Sequence, residues 1–414
     1  MTAIPGLGDV PSGWLTERAK WLLSRQRRSV RPEDKIVTAF RDGQVTLRDN
    51  RRTDGFTNAI QEIGYQGIRE GDLVVHGMDG FAGAIGVSDS DGKASPVVHA
   101  YQPAENMDVR FAAYALRTMA LNGYVATLAK GIRERSTAFD GAALANVVLP
   151  VPSLDEQRRI ADFLDVEATR IDSLNKSYRR LKGLAIEQSQ AAIDAEIEKC
   201  RDLIPFRYVV RFREGPGIMA ADFRDEGVPL VRIAGLQGGQ VTLNGCNFLD
   251  SEKVSRQWSQ FCLKLGDRLI SGSATMGAVS VVADLQVVGA IPYTGLIILR
   301  PAQSQTNMEY VEAFLCSSFF SRQIDVLKTG AAMQHFGPTH LAQVRSPLPS
   351  PADQRRIAKN AKVALSHARR AGSLADRQIR LLAERRQALI TAAVTGQFDV
   401  STASGRNVTE GITA

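Results

Sequence analysis

The chain contains one sequence element twice, and this repeat constrains the fold more than any other feature. Residues 149–161 read LPVPSLDEQRRIA, and residues 346–358 read SPLPSPADQRRIA. Each copy precedes a long segment with helical periodicity, and the copies lie roughly half the chain apart, which is too long a period for a solenoid of small repeats. The sequence therefore predicts one unit, a globular domain followed by a helical arm, that occurs twice.

The two globular segments, 1–148 and 201–345, show the same order of patterns. In each, a short β-rich run leads into a Gly-rich stretch (77–83 and 272–277), a return strand and a helix pattern. A Gly-rich stretch is also what an ordinary turn requires, and neither one fits a phosphate-binding consensus. We therefore expect the same α+β scaffold twice, with divergent loops.

The arms, 149–200 and 346–398, are predicted to be long helices. Ser153 and Ser350 each follow a pair of prolines at the position of a helix N-cap, and Glu156 gives the first copy a capping box. Apolar or small residues then recur at coiled-coil spacing, as a helix hairpin also requires. The residues predicted to form the coiled coil and to bind partners are Gln157, Ile160, Leu164, Ile171, Leu174, Leu181, Gln354, Ile357, Leu365, Ile379, Leu382 and Leu389.

The order of the segments predicts how the arms pair. The first arm leads into the second globular segment and the second arm leaves it, so paired arms must be antiparallel, with the globular domains at opposite ends. At 1.5 Å per residue each arm would be about 60–65 Å long. Gly396 is expected to end the second helix, and residues 399–414 are expected to be a disordered tail.

Composition places the chain among ordinary globular proteins. Its 414 residues are enough for two domains, and 44% hydrophobic with 23% charged residues is a typical balance. No stretch is apolar enough to span a membrane, and the first residues lack a signal-peptide pattern, so we expect a cytoplasmic protein. The four cysteines are scattered without ligand spacing, which predicts reduced thiols and no metal site.

Positive charge is concentrated near the N-terminus. The net charge is +7, and residues 18–52 carry eleven Lys or Arg side chains against four acidic ones. Such a run is often only a solvated face, but arginine suits bidentate contacts to phosphate and guanine. Nucleotide-binding, nucleophile-elbow, metalloprotease and amino-methyltransferase motifs are absent, which argues against an enzyme.

The doubled Pro-x-Pro and Gln-Arg-Arg-Ile-Ala element resembles the conserved regions of the specificity (S) subunits of type I restriction-modification enzymes. The second arm ends in LLAERRQALITAAVTG (381–396), which is similar to the same family, whereas 184–193 of the first arm is a poorer match. The resemblance covers nearly the whole chain. It implies an α+β fold in which two similar target recognition domains are separated by two long helices, an antiparallel coiled coil with a pseudo-twofold internal repeat.

The resemblance also implies a function. The chain would be a non-catalytic reader of a bipartite, asymmetric sequence in double-stranded DNA, and the coiled coil would set the length of the spacer. Two methyltransferase (M) subunits and restriction (R) subunits would dock on it. S-adenosylmethionine, ATP and Mg would serve those partners, so this chain itself is expected to need no cofactor and to have no catalytic residue.

Candidate DNA-binding residues lie on the predicted loops of both globular segments, although any one of them could be a solvated side chain away from DNA. They are Arg48, Arg51, Arg52, Met78, Asp79, Phe81, Arg133, Arg135, Ser273, Thr275, Lys328, Gln334 and His335. The rival hypothesis is a non-catalytic coiled-coil scaffold with basic domains that bind RNA or protein. An enzyme acting alone is the third alternative, but it has no supporting motif.

Overall fold

The computed structural model describes residues 1–51, 62–128, 139–200, 202–273, 277, 279–327 and 335–400. The chain divides into two compact units. Unit 1 comprises Met1–Asn175 and Ile379–Ala414, and unit 2 comprises Lys176–Gln378. Each unit therefore contains one globular segment and part of each arm, whereas the arms were predicted to be segments of their own.

Unit 1 contains short strands, short helices and parts of two long helices. Its strands are β1 (Thr2–Ile4), β2 (Gly8–Val10), β3 (Leu15–Arg18), β4 (Leu23–Gln26), β5 (Val37–Ala39), β6 (Val45–Leu47), β7 (Gln66–Ile68), β8 (Leu73–His76), β9 (Ile85–Val87), β10 (Gly92–Ala94), β11 (Val98–Pro103) and β12 (Val148–Val151). Its helices are α1 (Ala19–Leu22), α2 (Val109–Leu121), α3 (Tyr124–Leu128), α4 (Gly141–Ala145) and the start of α5 (Leu154–Ile197).

Unit 2 begins within α5 and follows a similar order. Its strands are β13 (Leu203–Pro205), β14 (Val210–Glu214), β15 (Phe223–Arg224), β16 (Val228–Val231), β17 (Leu236–Gln237), β18 (Gln240–Val241), β19 (Asn247–Leu249), β20 (Arg268–Ser271), β21 (Val279–Val281), β22 (Ile291–Pro292), β23 (Leu296–Pro301) and β24 (Arg345–Pro347). Its helices are α6 (Ser251–Lys253), α7 (Met308–Leu315), α8 (Ser318–Leu327), α9 (Pro338–Leu341) and most of α10 (Pro351–Val394).

The sheets share a central antiparallel arrangement. In unit 1 the order β4-β11-β8-β9 forms a four-stranded sheet; in unit 2 β14-β23-β20-β21 forms the same arrangement and continues into β18 and β17. The turn before the central strand is also repeated: Gly71 and Gly266 both have φ of +84°, and the next residue is a buried aspartate. Asp72 pairs with Arg28, and Asp267 pairs with Arg300. These matches support the alignment of the globular segments made from sequence.

The repeated Pro-x-Pro stretch forms a strand and then a helix start. The stretch before α5, β12, pairs antiparallel with β3, and its counterpart β24 pairs with β13. The Ser153 hydroxyl accepts from the Glu156 N–H at 3.3 Å, and the Ser350 hydroxyl accepts from the Asp353 N–H at 3.2 Å. Both predicted N-caps are therefore confirmed.

The glutamine of the repeated element joins the arm to the globular part. Gln157 is 0% exposed; its Oε1 accepts from the Asp108 N–H at 2.8 Å, and its Nε2 donates to the Asn106 and Pro152 carbonyls. Gln354 is 4% exposed, accepts from the Asn307 N–H at 3.2 Å and donates to a proline carbonyl. The polar atoms of both glutamines thus bind this chain's own backbone, which sequence analysis did not predict.

In unit 1 the start of α5 packs on the end of α10. Ile160 and Leu164 share a core with Ile390 and Val394 and with the globular residues around α2. Farther along α5, Asp172 makes two hydrogen bonds with Arg386, at 3.0 and 2.9 Å. Because higher residue numbers on α5 face lower numbers on α10, the helices are antiparallel here.

In unit 2 the rest of α5 packs on the start of α10. Lys182 pairs with Asp376 at 2.8 Å, and Glu196 pairs with Arg356 at 2.6 Å, so the helices are antiparallel here too. Ile193 shares a core with Ile357. The predicted fold class is thus confirmed: two similar α+β units contain two long helices that pair in antiparallel fashion.

The residues of α5 that face α10 differ from the predicted ones in the middle of the helix. Leu174 and Leu181 are 39% and 50% exposed, so they are not buried between the two helices, and their partner-binding role stays a prediction. The half-buried positions are Asn175, Tyr178 and Lys182, and Lys182 makes the ion pair with Asp376. The prediction rested on apolar and small residues, whereas two of these half-buried positions, Asn175 and Lys182, are polar.

Most other residues predicted for the coiled coil are buried by this chain itself. Ile160, Leu164, Ile171, Ile357 and Leu389 are each 2% exposed or less. The half-buried ones are Leu365, Ile379 and Leu382. At the predicted tail, Val400 packs against the unit 1 core, and residues 401–414 lie outside the described residues.

Candidate nucleic-acid interface

Unit 1 has an open cleft of about 720 Å³ between two loops. One wall is the turn between β5 and β6 together with the short 3-10 helix Arg48–Asn50; the other is the loop after β8. Its charged or aromatic lining residues are Phe40, Arg41, Asp42, Arg48, Arg51, His76 and Asp79. The cleft thus brings together three residues predicted from sequence, Arg48, Arg51 and Asp79.

The turn between β5 and β6 is tight and closely supported. The Phe40 N–H donates to the Gln44 carbonyl at 2.9 Å, and the Gly43 N–H donates to the Phe40 carbonyl at 2.9 Å. Gly43 has φ of +91°, a conformation that favours glycine. A Cβ at Gly86 on β9 would lie 2.0 Å from the Gly43 carbonyl oxygen, so the turn rests directly on the sheet.

The opposite loop is held by a histidine. The Asp79 N–H donates to His76 Nδ1 at 3.1 Å, which requires that nitrogen to be unprotonated. Burial is the main cause that lowers the pKa of His76, and this agrees with a neutral ring. His76 therefore shapes the loop and does not add positive charge to the cleft at neutral pH.

The cleft's arginines are ordered by weak, exposed pairs. Arg41 pairs with Asp79 at 2.8 Å although its side chain is 67% exposed. Arg51 pairs with Asp42 at 2.8 Å, and its guanidinium lies 4.1 Å from the centre of the Phe40 ring. Exposed ion pairs contribute little stability, so these guanidinium groups can exchange an aspartate for another anion at small cost. The arrangement suits recognition of a polyanion.

Other candidates in unit 1 have different surroundings. Met78 is exposed beside the cleft, whereas Phe81 is half-buried and packs against the core, so its ring is occupied by the protein interior. Arg52, Arg133 and Arg135 lie outside the described residues. Phe40, Arg41 and His76 were missed as site residues, and the position of Arg41 next to the Asp-Gly turn is the sequence signal that points to it.

Part of the N-terminal arginine run is structural. Arg28 pairs with the fully buried Asp72. By contrast, Arg25 and Arg27 are exposed on and next to β4, and both act electrostatically on His99. β4 pairs with β11, and β11 pairs with β8, the strand that ends at His76 in the cleft, so these arginines lie at the far edge of the same sheet. The positive run therefore divides between an internal pair and an exposed surface.

In unit 2, two of the five candidates are described. The Phe336 N–H donates to the Gly272 carbonyl at 2.9 Å, which places exposed His335 next to the loop that carries half-buried Ser273. Unit 1 has the same link, from the Phe139 N–H to the Gly77 carbonyl at 2.8 Å. Thr275, Lys328 and Gln334 lie outside the described residues.

The helix pair of unit 2 carries an apolar groove of about 470 Å³, here called the arm groove. It is defined by Leu181, Leu184, Ala185, Gln188, Ser189, Ala192, Asn360, Val363, Ala364, His367, Ala368 and Ala371. Leu181, Leu184 and Val363 are each 50% exposed. Exposed leucines above a row of alanines are typical of a surface that accepts another helix.

The described part of the chain contains no metal cluster, disulfide or membrane-spanning helix. There, His, Cys, Asp and Glu side chains form no cluster of three or more that could hold a metal ion. The four cysteines are free thiols. Among the described helices, none is long and apolar enough to cross a membrane.

The chain is similar to curated type I specificity subunits. It is 22% identical over 318 residues to the specificity subunit of the type I restriction enzyme MjaVIII from Methanocaldococcus jannaschii, a match that covers 71% of this chain and 72% of that one. It is 24% identical over 179 residues to the StySPI specificity subunit from Salmonella potsdam, covering 42% of this chain and 37% of that one. No protein-family profile matches the chain.

The fold is also similar to that of a solved protein. A chain from a structural study of complex assembly and conformational transition in a type I restriction-modification system superposes with a TM-score of 0.63 at 17% identity. The match covers 94% of this chain and 99% of that one. The duplicated fold, the repeated glutamine element and the two curated relatives agree, and the predicted resemblance to the specificity subunits of type I restriction-modification enzymes is confirmed.

Proposed function

We propose that this chain is the DNA-recognition subunit of a type I restriction-modification complex and that it reads a bipartite, asymmetric target. The observation that carries the proposal is the unit 1 cleft, where Arg41, Arg48 and Arg51 line an open surface whose turn packs on β9. Arginine supplies both contacts that such a reader needs, charge-assisted bonds to phosphate and bidentate bonds to guanine.

Binding at this cleft would proceed by exchange of partners. In the free protein Arg41 and Arg51 are held by Asp79 and Asp42. DNA phosphates or guanine edges would replace these carboxylates, and the two aspartates could then accept hydrogen bonds from cytosine amino groups. The pairs hold the arginines in place before DNA arrives, which lowers the entropy lost on binding.

Unit 2 would read the other half of the target. Ser273 and His335 lie on adjacent loops there, and we propose that they contact DNA; for Thr275, Lys328 and Gln334 the same role is proposed from the sequence alone. The loops of the two units differ in sequence, so the halves of the target would differ as well. The helix pair would set the length of the unread spacer between them.

Catalysis would belong to partner subunits. Two methyltransferase subunits would dock on the helix pair and methylate adenine with S-adenosylmethionine, which requires the base to be flipped out of the duplex. Restriction subunits would add ATP- and Mg-dependent steps. The arm groove fits a helix from one of these partners, because its exposed residues are apolar and its floor consists of small side chains.

The proposed reading role is tested by selection from random duplex DNA. The full chain with its methyltransferase partners should enrich a two-part sequence separated by unselected bases. The affinity for that sequence should fall steeply with salt, because phosphate contacts release counterions. Enrichment of a single continuous sequence, or of none, would reject the bipartite reader and favour the scaffold hypothesis.

The docking role is tested by two matched substitutions on α5. Leu184→Glu places a charge in the arm groove, whereas Ile186→Glu places one at a similarly exposed position that does not line it; the two side chains are 50% and 52% exposed. We expect Leu184→Glu to weaken co-purification with the methyltransferase subunits and Ile186→Glu to leave it unchanged. Equal effects of both variants would reject the arm groove as the docking surface.

A further inference from the structure

Arg117 of α2 reaches from the helix to the turn that forms one wall of the cleft. Its Nη2 lies 3.5 Å from the Arg41 carbonyl oxygen, to which it donates. A Cβ built on Gly43 would lie 2.7 Å from Arg117 Nε, and one built on Gly83 would lie 3.5 Å from it. The guanidinium therefore packs against two glycines, and both have positive φ, +91° and +89°.

Arg117 is not held by a direct ion pair in the described part of the chain, although the nearby Asp42 carboxylate attracts its charge. Among the described residues Arg117 has no ion pair within 4.0 Å, and its Nε is buried without a hydrogen-bond partner. Burial and the charge of Arg386 both lower the pKa of the Arg117 guanidinium. Arg117 is therefore held against the turn by its hydrogen bond to the Arg41 carbonyl and by packing on Gly43 and Gly83.

The surroundings of Arg117 connect the arm with the cleft. It lines a cavity of about 520 Å³ together with Asp42, Asp165, Asp172 and Arg386, all within unit 1. Asp42 lines both this cavity and the cleft, so the turn Phe40–Gln44 is the wall between them. A change in the Arg117 side chain should therefore alter the conformation of this turn.

We propose that Arg117 is a positioning residue for DNA readout: it holds the turn Phe40–Gln44 so that Arg41 and Arg51 face the DNA. This inference rests on the proposed function of the cleft. Arg117 itself does not line the cleft, so its effect on sequence choice is indirect. Arg117 sets the orientation of the side chains that would touch bases. Discrimination between sequences depends on that orientation more steeply than overall affinity does.

The test compares discrimination at the two halves of the target, measured on the full complex with matched and mismatched duplexes. Arg117→Gln should lower discrimination in the half read by unit 1 by about tenfold, the scale of one lost bidentate base contact, and leave the other half within about twofold. Arg117→Lys keeps the charge and most of the reach, so it should recover part of the loss. Thermal unfolding of the variants checks that each protein is folded.

A pair of glycine substitutions provides an independent test. Gly43→Ala places a methyl group against the Arg117 guanidinium, whereas Gly8→Ala has nothing within 4 Å of the new Cβ. Both glycines have nearly the same backbone conformation, with φ of +91° and +92°, but Gly43 lies in the turn that Arg117 contacts and Gly8 lies on β2. Gly43→Ala should reduce discrimination in the same half as Arg117→Gln does, and Gly8→Ala should not.

The outcomes separate this inference from the proposed function. A wild-type complex that reads two halves, with unchanged discrimination in Arg117→Gln and Gly43→Ala, would overturn only the positioning role. Equal losses in both halves would also overturn it, because they would indicate a general structural defect. A wild-type complex without sequence selectivity would overturn the reading role itself, and the positioning role with it.

Discussion

Unit 1 and unit 2 attach their globular parts to the long helices through the same glutamine but through ion pairs of opposite polarity. In unit 1 the base is on the globular helix: Arg110 pairs with Asp162 and Asp165 of α5, each at 2.8 Å. In unit 2 the acids are on the globular helix: Glu312 pairs with Arg369 of α10 at 2.9 Å. Glu309 makes a second, more exposed pair with Lys362.

The difference separates two kinds of recognition. The glutamine binds backbone groups, which every sequence provides, so it cannot distinguish one globular part from the other. The ion pairs depend on side chains, and exchanging the globular parts would place like charges together. In a duplicated chain this polarity favours docking of each globular part on its own helix over the exchanged arrangement.

The largest expected effect tests what the units share. Ile160→Ala and Ile357→Ala remove equivalent side chains, 2% and 0% exposed, from the junction of arm and core. Each should lower the free energy of unfolding of its own unit by about 2–5 kcal/mol. Urea denaturation followed by hydrogen exchange would assign the loss to a unit, with exposed Val166→Ala as the neutral control. If only one of the two variants lost several kcal/mol of unfolding free energy, the two junctions between arm and core would not be equivalent.

The glutamines should show the next largest effect. Gln157→Leu leaves the Asp108 N–H and two carbonyls without their partner, which should cost about 1–3 kcal/mol. Gln354→Leu should cost less, since its bond to the Asn307 N–H is longer, at 3.2 Å. The free energy of unfolding measures both. If Gln354→Leu lost as much unfolding free energy as Gln157→Leu, or more, the lengths of these hydrogen bonds would not determine how strongly each glutamine stabilises its unit.

Charge reversal tests the polarity itself. Glu312→Arg places two arginines together in unit 2 and should destabilise it by about 1–2 kcal/mol, roughly twice the value of an exposed pair. Adding Arg369→Glu restores a pair of the opposite sense and should recover most of the loss. If the double variant were no more stable than the single one, the ion pair would not be the relevant contact.

The smallest expected effect concerns the cleft in unit 1. Arg51→Gln should reduce the slope of log affinity against log salt by about one, because one phosphate contact is lost. Arg31→Gln, which removes an exposed arginine paired with Asp91 outside the cleft, should leave the slope unchanged. Fluorescence anisotropy over a range of salt concentrations measures the slopes. A change for Arg31→Gln alone would place the DNA elsewhere on unit 1.

Local signals explain which parts of the fold could be predicted. The caps at Ser153 and Ser350 and the antiparallel arms followed from short patterns and from the order of segments. The polar residues in the middle of α5 could not be predicted in this way, because Lys182 is stabilised there by Asp376, which is 194 residues away in sequence. A pattern of apolar residues carries no information about such a partner.

The candidate site was predictable only in part for the same reason. Arg48 and Arg51 were found because they belong to a dense arginine run. Phe40 and His76 were not found. They line the same cleft only because the β5–β6 turn packs on β9 and so faces the loop after β8. For the glutamines the sequence showed that they recur, and the structure shows that both bind backbone atoms of their own chain.

The most direct test is to map methylated adenines in cells that carry the complete complex, with residues 1–148 of this chain replaced by the corresponding segment of a related specificity subunit. If each unit reads its own half, one half of the methylated sequence should change, while the other half and the spacer remain the same. A change in both halves, or in neither, would contradict the account.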